Sequence, residues 1–239
     1  MSEGLQAMKK LGVIGGMSWV STAVYYDRIN RIVQRRAKFE ANAPMVIDSL
    51  DFAEFRNWRD TRDWDLARRL LIESAKRLED FGADGLLIGA NTMHKLYDAV
   101  AAEVGIPILN IVDAVGKEVA SSKHRKVALV GTRTVMQDEG FRKKFTDHGL
   151  ELMPIDPQEI DMVERIIYDE LMVGRATRDA ERKLRTLFFE AAQDGAEAAI
   201  LACTELEAVV DTDANVLPVF DSTDIHCRVA ADFILEGVV

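Results

Sequence analysis

Two stretches constrain this chain more than anything else in it, because they are nearly the same stretch. GADGLLIGA at residues 82–90 and GAEAAILAC at residues 195–203 stand 113 residues apart. At that offset Gly82-Ala83-Asp84 matches Gly195-Ala196-Glu197, Leu87 matches Ile200, Ile88 matches Leu201 and Gly89 matches Ala202. Each is a short apolar run entered from a glycine turn and left through a polar step. An apolar run of strand length reads as a strand covered on both faces, the kind that parallel sheets contain. Lys10-Leu11-Gly12-Val13-Ile14-Gly15 likewise resembles Lys126-Val127-Ala128-Leu129-Val130-Gly131, and Ile106-Pro107-Ile108 resembles Leu217-Pro218-Val219. Three landmarks in one order mark a duplicated unit rather than the general sameness of strands and turns.

Helical periodicity fills the intervals. Tyr25, Ile29, Ile32 and Val33 share one face over residues 19–36, and Ala67, Leu70, Leu71, Ala75 and Leu78 share another over 63–81. Further helices are expected from near Thr92, over 158–173 and over 178–193, and further strands over 45–50, 106–111 and 217–220. Strand and helix in alternation predict an α/β fold with parallel sheets. The repeat divides it into two similar doubly wound domains related by a pseudo-twofold axis. Residues 1–112 with 223–239 make the first, and residues 113–222 the second.

The bulk properties narrow the function. A net charge of −10 argues against a nucleic-acid surface and against an anionic membrane. No apolar run is long enough to span a bilayer, and MSEGLQAMKK has no signal-peptide core. Two cysteines, Cys203 and Cys227, are too few for a disulfide framework and lack zinc-ligand spacing. A soluble, cytoplasmic protein is expected.

In parallel sheets, ligands sit beyond the carboxyl ends of the strands. Four turns fall there: Gly15-Gly16-Met17-Ser18, Ala90-Asn91-Thr92, Gly131-Thr132-Arg133-Thr134 and Cys203-Thr204-Glu205. With the two domains facing each other, all four line one cleft, and Ala90 and Cys203 stand on opposite sides of it. Helix-start amides carry partial positive charge and hold carboxylates. Ser18, Asn91, Thr92, Thr132, Thr134 and Thr204 add side-chain donors, with Met17 and Glu205 in the same turns. Any one of these residues alone more often caps its own backbone. Their convergence at repeat-related turns makes them the expected substrate-binding set.

Cys203 is the sharpest candidate for chemistry. A free cysteine is usually a small buried hydrophobe, but this one stands at a strand-to-helix turn, where a helix N-terminus favours the thiolate. Cys227, in the last helical stretch, reads as core. His94 and His226 are weaker candidates for the cleft, and Arg56 or Arg59 of the charged stretch RNWRDTRDWD has the reach to meet an anionic substrate. Gly15-Gly16 completes no dinucleotide fingerprint, and there is no phosphate-binding P-loop.

GVIGGMS (12–18), DFAEF (51–55), ANTMHK (90–95), IPILNI (106–111), GTRTVM (131–136), IIYDEL (166–171), ACTE (202–205) and DSTDIH (221–226), in this order, resemble the aspartate/glutamate racemase family over nearly the whole chain. The resemblance implies a two-domain α/β fold with the site between the domains, racemisation of an acidic amino acid, and catalysis without pyridoxal phosphate or metal. It also implies a homodimer and a small dicarboxylate as partner. Racemisation removes the Cα proton on one face and returns one on the other, so it needs a base and an acid across the substrate. In the two-cysteine form of the family, one cysteine precedes Asn-Thr and the other precedes Thr-Glu. Those positions are Ala90 and Cys203 here: one thiol is retained and a methyl group replaces the other. Tyr168 matches a family tyrosine. Met172 stands where some aspartate racemases have lysine, which weakens the implication of strict aspartate specificity.

Overall fold

The computed structural model describes residues 8–37, 40–53 and 63–238. Arg56 and Arg59, and the last two residues of DFAEF, lie outside them.

The chain forms two compact units. Unit 1 comprises residues 1–89, 96–109 and 227–239; unit 2 comprises 90–95 and 110–226. Each contains a four-stranded parallel sheet. In unit 1 the strands are β1 (Leu11–Gly15), β2 (Met45–Ser49), β3 (Gly85–Ile88) and β4 (Ile108–Leu109), in the order β2-β1-β3-β4. In unit 2 they are β5 (Lys126–Gly131), β6 (Glu151–Leu152), β7 (Ala198–Ala202) and β8 (Val219–Asp221), in the order β6-β5-β7-β8. The two orders are the same order, and the repeated sequences occupy the same places in it. GLLI is the third strand of one sheet and AAILA the third of the other. The fold is α/β, built from two parallel sheets with helices.

In unit 1, helix α1 (Trp19–Arg36) is capped by Ser18, whose Oγ accepts from the Ser21 N–H, and it buries Tyr25, Ile29, Ile32 and Val33. Helix α2 (Trp64–Asp80) is capped by Asp63 and buries Ala67, Leu71, Ala75 and Leu78. The turn between β1 and α1 depends on Gly16. Its φ is +81°, and a Cβ there would lie 2.0 Å from the Leu50 carbonyl oxygen. Only glycine allows both the left-handed backbone and that approach. The short helix α3 (Tyr97–Ala101) follows β3. Residues from the far end of the sequence complete this core: Cys227, Ala230, Ala231, Phe233 and Ile234 pack with Leu11, Val13, Tyr25, Ile29 and Leu87.

In unit 2, helices α4 (Ile111–Ser121), α5 (Arg133–Gln137) and α6 (Glu139–Asp147) accompany β5 and β6. One core cluster joins Val112, Val115, Val119, Phe141 and Phe145 to Leu129 and Ile200. A second joins Val130, Leu201 and Cys203 to α7 (Pro157–Arg165) and α8 (Arg178–Gln193) through Ile160, Val163, Leu184 and Phe188. The last helix, α9 (Ser222–Glu236), begins in unit 2 and from Cys227 onward belongs to unit 1.

Several elements differ from the sequence reading. The helix expected over 158–173 is α-helical only to Arg165. It continues as one π-turn, Ile166–Glu170, and one 3₁₀ turn, Leu171–Val173, which ends at Gly174 with φ +77°. β3 and β7 are followed by five-residue 3₁₀ segments, Thr92–Leu96, which leads into α3, and Thr204–Ala208, which leads into no α-helix before β8. Their donors are therefore those of a tight turn rather than of a long helix with a full macrodipole. β4 and β8 are shorter than the apolar runs that announced them.

Candidate functional site

The best-defined cluster of polar groups sits at the carboxyl end of the unit 2 sheet. Three neighbouring strands, β5, β7 and β8, end in register, with Gly131 opposite Ala202 and Leu201 opposite Asp221. The residues that follow them are Thr132, Cys203 and Ser222. Residues 90–95 cluster with this unit although they follow a strand of the other. Asn91 Nδ2 donates to Ser222 Oγ at 3.0 Å, which fixes one end of the segment at β8. The Thr92 and Thr132 hydroxyls meet at 2.8 Å, which fixes the next residue at β5. The strand between those two anchors is β7, which carries Cys203. Lys95 adds an ion pair with Asp138, the N-cap of α6.

The close approach of β5 to β7 beneath the site requires Gly131, whose Cβ would lie 2.6 Å from the Ala202 carbonyl oxygen. Thr132 and Cys203 are each the extended residue before a short helix, and neither side chain caps its own helix. Cys203 Sγ instead donates to Glu205 Oε2 at 3.1 Å. Both residues are buried, as are Asn91, Thr92, Thr132, Thr134 and Thr204. Ala90 is partly exposed.

This environment corrects one expectation. The thiolate foreseen for Cys203 is not its resting form. Burial pushes the thiol pKa well above its ordinary value, and the Glu205 carboxylate pushes it further, by charge and by accepting the S–H. A three-residue-per-turn segment is a weak source of opposing positive potential. Cys203 rests as a neutral thiol.

Met17 and Ser18 are buried in unit 1, where Ser18 caps α1 and its carbonyl accepts from the Thr22 hydroxyl at 2.9 Å. Cys227 is fully buried in the unit 1 core. His94 and His226 are fully buried in unit 2, ring edge to ring face with centroids 5.6 Å apart. A carbonyl only accepts, so His94 Nδ1 carries the proton that bonds the Ala90 carbonyl at 3.0 Å. Tyr168 and Met172 pack against the apolar cluster that contains Cys203.

Sequence reasoning missed Ser222 as the anchor of Asn91, and it missed Glu205 as the partner of the thiol. DSTDIH and ACTE contain both residues, but a contact 131 residues apart leaves no local signal, and the two-residue contact of Cys203 with Glu205 takes its effect from burial. Beside Ser222, the fully buried Thr223 hydroxyl makes no hydrogen bond within the described residues. Among the described residues no group of His, Cys, Asp and Glu is placed to hold a metal ion, and no helix is long and apolar enough to cross a membrane.

Two parallel sheets of one strand order, with a thiol just after the third strand of the second, define a class of duplicated α/β protein. Comparison with known proteins specifies it. The Asp/Glu/hydantoin racemase family model matches residues 14–230, and the chain belongs to that family. It is an isomerase, of the amino-acid racemase type. The broad-specificity amino-acid racemase RacX of Bacillus subtilis is 26% identical over 216 residues, covering 89% of this chain and 92% of that protein. A Yersinia pestis crystal structure provisionally assigned as an Asp/Glu racemase superposes with a TM-score of 0.88 at 36% identity, over 96% of this chain and all of the other. An aspartate racemase homologue of Pyrococcus horikoshii gives 0.83 at 34%, with the same coverage.

Proposed function

We propose that the protein racemises an acidic amino acid, aspartate or glutamate, by removing the Cα proton and returning one on the opposite face, with Cys203 as the thiol of one face. The observation that carries this reading is the buried Cys203–Glu205 hydrogen bond at the strand end where a family match spanning residues 14–230 would have a catalytic cysteine. As a neutral thiol Cys203 is ready to donate a proton to a carbanion. To accept one, it first passes its own proton to Glu205 Oε2: the S–H bond breaks and an O–H bond forms. The substrate ammonium, entering beside this pair, offsets the charge that makes the thiolate costly.

Asn91, Thr92, Thr132, Thr134 and Thr204, all in unit 2, hold the substrate carboxylates. The hydroxyl and amide donors also stabilise the charge that develops as the Cα proton leaves. Ala90 cannot exchange a proton, so its face is served by water or a neighbouring group. Cytoplasmic residence and assembly as a homodimer belong to the same reading, and light scattering on the purified protein tests the second.

Ala90 also supports a second reading: a one-face enzyme of the same superfamily that protonates only from Cys203. One experiment separates the two. L- and D-aspartate and L- and D-glutamate are incubated with the protein in heavy water, with Cα exchange followed by NMR and chirality by chiral chromatography. Exchange with inversion establishes the racemase. Exchange with retention establishes the one-face enzyme. No exchange with any of the four sinks the acidic amino-acid reading.

A further inference from the structure

The turn after β5 carries two residues of the candidate set, Thr132 and Thr134, with Arg133 between them. The helix they open, α5, has five residues, and no side chain caps its start. So short a helix has almost no stability of its own, and its place is set by what grips it. Arg142 grips the far end, donating to the Met136 carbonyl at 2.9 Å. Arg133 grips the near end. Its Nε donates to Glu164 Oε2 at 2.6 Å, and its Nη2 donates to Asp161 Oδ1. Both carboxylates stand on α7, at the helical spacing that puts them on one face.

We propose that Arg133 is a positioning residue of the candidate site: it holds α5 on α7 and so places the Thr132 and Thr134 hydroxyls where a carboxylate is bound. A guanidinium beside a site for an acidic substrate would ordinarily be read as the group that meets the substrate. Here it is committed to two carboxylates of its own chain, and it acts through its neighbours. Which molecule the threonines hold rests on the racemase reading; the grip on α7 does not.

The helix α7 is a firm post for this grip. Its start is fixed by Pro157 and by a capping box of Asp156 and Glu159. Its Ile160 and Val163 are buried in the core cluster that contains Cys203. Beyond α7 the chain runs through the π-turn into Leu171–Val173, which packs against Thr204–Ala208, the segment that follows Cys203. Leu171 and Leu206 share that cluster. One continuous stretch thus supports the threonine turn through Arg133 and the thiol turn through Leu171. Thr132 also meets Thr92 at 2.8 Å, so a shift of α5 is passed to the segment that carries Asn91.

The test compares Arg133→Met, Arg133→Lys, the pair Asp161→Asn with Glu164→Gln, and the triple variant that joins this pair to Arg133→Met. Each is checked for folding by its melting curve. Cα exchange of aspartate and glutamate in heavy water is the first readout. Arg133→Met is expected to lower kcat/KM roughly tenfold or more. The double amide variant keeps the guanidinium but loses its partners. It is expected to fall by the same factor, with the triple variant no worse. Arg133→Lys, which still meets one carboxylate, recovers part of the loss. Melting temperatures stay near that of the wild type, because partly exposed ion pairs contribute little to global stability. Full activity in Arg133→Met, or a double amide variant as active as the wild type or more so, overturns the proposal, since the guanidinium then serves the substrate directly or not at all. Native-state hydrogen exchange is the second readout and needs no substrate. The Met136 and Asp138 N–H groups donate to the Thr132 and Thr134 carbonyls at 3.0 and 2.9 Å. In Arg133→Met and in the double amide variant those two amides are expected to exchange about fivefold faster, while the amides of β5 and β7 keep their protection. Unchanged protection at Met136 and Asp138 overturns the grip. If no acidic amino acid exchanges even with the wild type, the function proposed above fails by itself, and the hydrogen exchange still decides the role of Arg133.

Discussion

In the proposed racemase, Cys203 holds and releases a proton from a place that water barely reaches. Burial and the Glu205 carboxylate both favour the neutral thiol, which makes the pair a pH-sensitive device with a definite sign. Glu205→Gln removes the charge while leaving the burial. Its Cys203 is expected to ionise at lower pH than in the wild type, read as a downward shift in the pH midpoint of iodoacetamide labelling at that residue. An unchanged midpoint would mean that burial alone sets the thiol. The same shift bears on stability. The unfolded thiol ionises at its ordinary pKa while the folded one keeps its proton. The stability contributed by this group is whole below the unfolded pKa and drains away as pH rises above it. Denaturation of Cys203→Ala is expected to show a shallower loss of stability at alkaline pH than the wild type. In the proposed racemase, Ala90→Cys supplies a general acid–base group on the face opposite Cys203. Under the racemase reading it is expected to raise inversion by about 10²-fold, measured by chiral chromatography.

At the scale of elements, the site depends on how closely β5 approaches β7. A Cβ on Gly131 meets the carbonyl of Ala202, the residue before Cys203, at 2.6 Å. The carbonyl that the Cβ meets belongs to the backbone, so no side chain can move aside. Gly131→Ala is expected to cost about 1–3 kcal/mol in denaturant unfolding and to depress exchange beyond that loss, because the strand it displaces carries the thiol. Elements are also where the sequence was most and least legible. AAILA and GLLI were read as strands because continuous apolarity has one cheap solution in a parallel sheet. Tyr25, Ile29 and Val33 announced α1 by period alone. Residues 158–173 kept an apolar face throughout, so nothing in their period marked the change from α to π at Ile166. That change widens the turn without altering which residues face the core. The turns of the site were found by their positions after strands. Their partners were not: Asn91 with Ser222, or Thr92 with Thr132, is a pairing that only tertiary packing creates. The neutral thiol is hidden for a different reason: its carboxylate is only two residues away, but burial, the larger cause, is not written in the local sequence.

At the scale of the molecule, the two units share one topology but divide the chain unevenly. Phe233 belongs to the unit 1 core, and its ring fills the space over Gly85, where a Cβ would meet it at 2.5 Å. Phe233→Ala is expected to cost about 3–5 kcal/mol. Hydrogen exchange would locate the lost protection in β1, β3 and α1 of unit 1, with the amides of β5 and β7 less affected. Equal loss in both units would show that they unfold as one.

The division of α9 sets an order of events during synthesis. Unit 2 is encoded almost wholly between two parts of unit 1, and the residues that close the unit 1 core, Ala230 to Ile234, are translated after all of unit 2. On the ribosome, then, the sheet that carries the thiol is complete while the earlier-made strands still wait for their last helix. The N-terminal half of the nascent chain is the half exposed to chaperones longest.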